Sequence, residues 1–218
     1  MAGGSITIDG GVRLAWADPA EFDRAQARRL LGAAERVRAA GTQRADQRDR
    51  FLLGRLLVRC LAADIGGIGP EEVNVTATCE RCGREHARPR VSWPAAAGPT
   101  PSVSLASCDG LVVAALAPAA VAVGVDVERP RPTSRAAEAE RRGAVADLVG
   151  GRRRTALRRW VRAEAVLKAD GRGLRVDPGA VVVRGRLARV GGEPTPYRIV
   201  DRRIAGCLVS VAVGPVPR

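Results

Sequence analysis

Two acidic residues, Asp126 and Glu128, lie two positions apart in the run Gly124-Val125-Asp126-Val127-Glu128. A strand sends alternate side chains to opposite faces, so both carboxylates share one face while Val125 and Val127 take the other. Paired carboxylates repel each other, and a divalent cation relieves that repulsion. Mg2+ prefers oxygen ligands together with substrate phosphates and suits such a pair; the plainer alternative is a solvated strand face. A second group lies downstream in Trp160-Val161-Arg162-Ala163-Glu164-Ala165-Val166-Leu167-Lys168, followed by Ala169-Asp170-Gly171-Arg172-Gly173-Leu174. Glu164 and Lys168 are four residues apart and share a helix face. Spacing alone makes them an ordinary surface pair worth about 0.3–0.5 kcal/mol. Two features argue for more. Lys168 is the lone lysine among 36 basic residues, the rest being arginine. Where arginine has replaced lysine so widely, a retained lysine points to a place that needs a compact charge rather than a planar fork. A tight Gly-x-Gly turn also follows at once.

A third set is Cys79-x2-Cys82-x3-His86, in which His86 is the only histidine. Structural zinc wants four ligands, usually with a second pair at similar spacing. No clear fourth ligand follows, although Cys108 could approach in space. Five cysteines (Cys60, Cys79, Cys82, Cys108, Cys207) at irregular spacing, and no basic-then-apolar leader, predict reduced thiols and a cytoplasmic protein. The most apolar run, Leu111 to Val125, contains Pro118 and is shorter than the roughly 20 residues of a spanning helix, so no membrane partner is expected.

The 218 residues carry a formal charge of +13, which calls for a polyanionic partner: nucleic acid, a phosphate-rich cofactor or an acidic protein. Arg152-Arg153-Arg154 and Arg158-Arg159 come without a helix-turn-helix or an aromatic-interleaved strand pattern. They read better as a basic face for an acidic helix of a partner protein than as a nucleic-acid surface.

These groups need elements to hold them. The pattern predicts strands at 5–8 and 12–16, and a helix over roughly 19–40 capped by Asp18-Pro19. A second helix, roughly 45–64, sets Phe51, Leu52, Leu56 and Cys60 on one apolar face. Next come a strand at 73–78, a turn-rich segment through Gly83, Pro89 and Pro94, and a hairpin of 103–105 with 111–117 around Asp109-Gly110. The second half repeats this plan: a strand at 121–127, helices over 134–148 and 152–169, and strands at 180–186 and 206–213. Laying Trp160 on Phe51, an offset of 109, sets Glu164 on Arg55 and Lys168 on Arg59. The expectation is a duplicated α+β protein with halves 1–118 and 119–218, and a ligand site in the cleft between them.

In order and separation, Gly124 to Glu128 and Trp160 to Leu174 resemble the two motifs of the 4'-phosphopantetheinyl transferase superfamily. Its pattern is a Gly-(Ile/Val)-Asp-(Ile/Val)-Glu strand, then Trp-x-x-Lys-Glu-Ala/Ser-x-x-Lys-x-x-Gly-x-Gly-Leu. Length and bipartite layout are similar to the larger, monomeric subgroup that primes nonribosomal peptide and polyketide synthases. Glu35-Arg36, Arg50 to Arg59, Cys82 to Pro89 and Ser104 to Gly110 extend the resemblance through the first half. Cys82 to Pro89 fits the family's Cys-Gly-x-x-His-Gly-x-Pro cofactor loop. The resemblance implies two pseudo-symmetric halves and transfer of phosphopantetheine from coenzyme A to a serine of an acyl, peptidyl or polyketide carrier protein, with release of 3',5'-ADP. It implies that Asp126, Glu128 and Glu164 hold Mg2+ against the pyrophosphate, that Glu164 accepts the serine proton directly or through water, and that Lys168 contacts the phosphates. Arg36 and Arg88 match positions that hold the 3'-phosphate. Arg50 belongs to the adenosine-binding helix, and Ala106 and Ser107 stand in the cofactor-binding Ser-His segment. Two positions depart from the pattern: Ala163 replaces the lysine before the helix glutamate, and Ser107 replaces the histidine. Neighbours such as Arg162 could compensate. The alternative is a relative that binds coenzyme A or a carrier protein with impaired transfer.

Overall fold

The computed structural model describes residues 3–8, 10–79, 82–130, 145, 147–149, 153–194 and 196–215. The protein is α+β. Its strands form sheets of four, five and two, antiparallel in every registered pair. The chain divides into two units, Met1–Val121 and Ala122–Arg218.

In the first unit, β1 (Gly3–Ile8) pairs with β2 (Val12–Ala17). The single helix expected over 19–40 is instead two. Asp23 caps α1 (Arg24–Leu30) by accepting from Gln26 N at 2.8 Å, while Asp18 is spent in a turn, accepting from Ala20 N. Leu31 and Gly32 are extended and separate α1 from α2 (Ala33–Gly41). Leu31 is buried, so packing rather than helix periodicity sets the break. Helix α3 (Ala45–Gly66) ends at Gly67. Its buried residues include Leu52, Leu53, Leu56 and Leu61, but Cys60, expected on the apolar face, is exposed. Arg55 and Arg59 are buried instead. Both form ion pairs with Glu35 of α2, Arg55 Nε with Oε1 at 2.8 Å and Arg59 Nη2 with Oε2 at 2.5 Å. Glu35 Oε2 also accepts from Gly32 N at 2.9 Å, so one buried carboxylate locks the start of α2 onto α3.

After α3 come β3 (Asn74–Thr78) and β4 (Glu85–Ser92). The segment around Pro89 was expected to be turn-rich, yet β4 runs straight through it. The ladder tolerates the missing N–H because the register shifts between Thr76 and Thr78, and Pro89 takes part in none of the registered pairs. Strands β5 (Ser102–Cys108) and β6 (Leu111–Ala117) form the expected hairpin, and β6 is buried along its whole length. The four-stranded order is β1-β2-β6-β5.

The second unit begins with β7 (Val121–Glu128). The helix expected over 134–148 lies outside the described residues except at 145 and 147–149, which are helical. Helix α4 (Arg153–Asp170) follows. The strand expected over 180–186 is a hairpin, β8 (Val181–Arg184) with β9 (Leu187–Val190), because Gly185, at φ +61°, turns the chain back. Strand β10 (Tyr197–Ile204) has no counterpart among the expected elements: its arginines hide a short alternation in which Tyr197 and Ile199 are buried and Arg198 is exposed. It closes on β11 (Cys207–Pro215) through a two-residue turn, and the sheet order is β7-β11-β10-β9-β8. Helix α4 covers this sheet, with Val166, Leu167, Ile199 and Ala212 in the shared core. None of the five cysteines is joined in a disulfide, and no described helix is long and apolar enough to cross a membrane.

Candidate active site

The acidic groups come into electrostatic range of one another where α4 crosses β7. Gly124, Asp126 and Glu128 occupy one face of the strand by alternation. A Cβ at Gly124 would stand 2.0 Å from Ala165 O and 2.4 Å from Ala169 N, so only glycine lets the helix backbone sit on the strand there. Asp126 is next along that face and lies under Lys168, whose Nζ donates to Asp126 Oδ1 at 2.7 Å and to Val125 O at 3.2 Å. Helix α4 is buried on most sides, with Val161, Ala163, Ala165, Val166, Leu167 and Ala169 in the interior and Glu164 and Lys168 half-buried. Its C-terminal turn is pinned by Asp170, which accepts from Arg172 Nε at 2.6 Å and from the Tyr197 hydroxyl at 3.4 Å. Burial and the Asp170 charge push the Tyr197 hydroxyl up to about 12.

The electrostatics are those of crowded anions. Burial pushes the Asp126 carboxyl above its ordinary range, against the pull of Lys168. Glu164 is raised as well, first by burial, with Asp126 and Glu128 adding repulsion that opposes the Lys168 attraction. Glu164 therefore lies in electrostatic range of both strand carboxylates and of the lysine. Asp126 Oδ2 is buried and has no hydrogen-bond partner among the described residues. A hard cation fits this donor set: three carboxylates, one with an unpartnered buried oxygen, are the ligand type that Mg2+ takes. The donors are not gathered into a cage, however. Among the described residues, the three ligating side chains whose donor atoms lie within 4.8 Å of one another are Cys79, Cys82 and His86.

One departure from the motif, Ala163, has a structural explanation. Ala163 is 2% exposed in the core of the second unit, beside Val166 and Leu167, where a lysine head would have no water. Arg162, the expected substitute cation, is already committed. It grips Asp201 with Nε at 3.0 Å and Nη2 at 2.6 Å from Oδ2, and Ser210 Oγ donates to the same carboxylate at 2.8 Å. Asp201 is held below the usual carboxylate range, since these bonds outweigh the effect of its burial. No local signal announces this pair: Asp201 lies on the unforeseen β10, far away in sequence.

The remaining expected residues lie in the first unit. Arg36 is exposed on α2, with Nη1 donating to Leu31 O at 2.5 Å. Arg50 on α3 pairs with Asp46 at 2.5 Å and with Asp109 at 3.4 Å. Arg88 is exposed on β4, its Nε donating to Val103 O of β5 at 3.1 Å. On β5, Ala106 is buried and Ser107 exposed. The structure thus brings together Asp126, Glu164 and Lys168, with Glu128 in electrostatic range, and sets the first-unit residues on four separate elements. Neither protein-family models nor curated proteins match this chain.

Proposed function

We propose that the chain transfers the 4'-phosphopantetheine group from coenzyme A to a serine of an acyl, peptidyl or polyketide carrier protein. The observation that carries this reading is the seating of α4 on Gly124, which sets Glu164 and Lys168 over the Asp126 and Glu128 face and leaves Asp126 Oδ2 unpartnered. Asp126, Glu128 and Glu164 would hold Mg2+, whose charge when bound offsets that of the coenzyme A diphosphate and the departing 3',5'-ADP. The serine oxygen attacks the β-phosphorus, a new P–O bond forms, and the bridging P–O bond to 3',5'-ADP breaks. Glu164 takes the serine proton, directly or through water; its raised proton affinity favours that role. Lys168 pairs with Asp126 in the free chain and turns to the phosphates when these are present. Arg36 and Arg88, both exposed, are suited to bidentate contact with the 3'-phosphate. Arg50, Ala106 and Ser107 complete the nucleotide subsite, with the Ser107 hydroxyl donating where the family has histidine.

Strand order supports a duplicated architecture. In the first unit, β6 lies between β2 and β5; in the second, β11 lies between β7 and β10. From β2 in the first unit and from β7 in the second, the chain runs strand, helix, hairpin, then two further strands, the last pairing beside the starting strand; β1 is an addition in the first unit.

A relative that binds coenzyme A or a carrier protein without efficient transfer is the second reading. It is favoured by the burial of Ala163 and by the Arg162–Asp201 pair, which remove two cations from service at the phosphates. Incubating the chain with coenzyme A, Mg2+ and an apo carrier protein, then weighing the carrier by mass spectrometry, separates the two. A gain of one phosphopantetheine establishes transfer. Retention of coenzyme A without that gain supports the second reading. Neither result, with salt-sensitive retention of DNA, would return the basic chain to nucleic-acid binding.

A further inference from the structure

A second ligand cluster lies in the hairpin loop between β3 and β4, and the transfer chemistry makes no use of its thiols. Cys79 directly follows β3, Cys82 sits in the loop, and His86 is the second residue of β4. Backbone bonds hold the loop closed. Cys79 O accepts from Cys82 N at 3.3 Å and from Gly83 N at 2.8 Å, and Cys79 N donates to Arg84 O at 2.8 Å. Gly83 sits at φ +67°, a left-handed conformation that lets the chain reverse immediately after Cys82. This fold-back makes neighbours of three soft ligands. Cys82 Sγ lies 2.9 Å from His86 Nε2, and the two sulfurs and the imidazole nitrogen all fall within 4.8 Å of one another.

Tetrahedral zinc with Zn–S of about 2.3 Å and Zn–N of about 2.0–2.1 Å sets its ligand atoms roughly 3.5–3.8 Å apart. The 2.9 Å sulfur–nitrogen contact needs to open by less than an ångström, and the rest of the group is already in range. Cys82 and His86 are exposed, so a metal and a water can reach them. Cys108, the fourth ligand considered from sequence, is outside the group; its Sγ contacts Asp109 O at 3.8 Å.

We propose that Cys79, Cys82 and His86 bind one Zn2+, with water as the fourth ligand, and that the ion fixes the β3–β4 turn. Both thiols bind as thiolates, so loading releases two thiol protons to solvent, and no oxidant or reductant takes part. The proposal does not rest on the transferase reading, and the site shares no residue with the Mg2+ donors. It also has a consequence for β4: Arg88, two residues beyond His86, lies on the same strand face, so the metal steadies the strand end that presents it.

The test is metal content. The full chain is reduced, stripped with chelator, loaded with Zn2+ and desalted, and its zinc is measured by plasma mass spectrometry. The same chain loaded with Co2+ is read by absorption. The expected result is about one zinc per chain, a thiolate-to-Co2+ charge-transfer band, and at least about a tenfold loss of retained metal in Cys82→Ser and His86→Ala. Cys108→Ser is expected to keep the metal, and its loss would overturn the three-residue ligand set. No retained zinc in the reduced chain, or equal retention in the Cys82→Ser and His86→Ala variants, would overturn the site.

Discussion

Asp126 and Glu164 weaken the fold that brings them together. Both carboxyls are raised, so each holds its proton to higher pH in the folded chain than in the unfolded one. Between the ordinary carboxylate value, about 4, and the raised native value, the folded state binds more protons. Their contribution to stability is therefore greatest at acid pH, and is lost as pH rises through the native pKa. For Glu164→Gln, which removes one like charge and keeps the shape, transfer is expected to fall at least ~100-fold. In the same variant, the melting temperature of the metal-free chain at neutral pH should equal or exceed that of the parent. That difference is expected to shrink on acidification, as the parent Glu164 becomes protonated. Turnover near normal would remove Glu164 from the reaction. Lys168→Arg keeps the charge but replaces a small ammonium seated between Asp126 Oδ1 and Val125 O with a planar fork. Transfer in this variant should drop roughly 10–100-fold through misplacement of the charge, seen in kcat with a carrier substrate. An unchanged rate would return the single lysine to chance.

At the scale of elements, the site depends on how closely one helix approaches one strand. Gly124→Ala would put a methyl against Ala165 O and Ala169 N, both backbone atoms that cannot swing aside. The helix must lift, with loss of about 3 kcal/mol or more, read as a lower urea midpoint. Because lifting α4 also withdraws Glu164 and Lys168 from β7, transfer should fall even where the variant remains folded. In the first unit, Glu35 does comparable positioning work by charge rather than by contact: it clamps Arg55 and Arg59 from a site only 1% exposed. Laying the two halves of the sequence on each other set these arginines against Glu164 and Lys168 but gave neither a partner. Their burial follows from Glu35, a partner that the local pattern of α3 does not contain.

For the molecule as a whole, the charge of +13 sets how a partner arrives. Arg158, Arg202 and Arg203 line a shallow hollow beside Asp201, Leu208 and Val209 in the second unit, and all three arginines are exposed. If an acidic carrier docks on such a face, its KM should rise several-fold between low and physiological salt while kcat stays nearly constant, since screening acts on encounter. A KM for carrier that is insensitive to salt would argue against electrostatic docking. Most elements were readable in advance where one period ruled: α3, α4, β6 and β7 follow from apolar spacing, and β5 with β6 from Asp109-Gly110. Readings failed where packing or charge overrode the period. Leu31 broke a helix by turning inward, β4 carried a proline through its irregular register, and β10 hid its alternation among arginines.

Local chemistry was written in the chain itself: two carboxylates on one strand face, a glutamate and a lysine one helical turn apart, and two cysteines with a histidine at metal-ligand spacing. These follow from backbone periods that every residue obeys. Which groups are mutual partners came only with folding. Lys168 with Asp126, Arg162 with Asp201, and Glu35 with two arginines each join segments 20 or more residues apart. Such pairings are set by how helices seat on sheets, a long-range outcome of burying apolar surface that no short window of sequence contains.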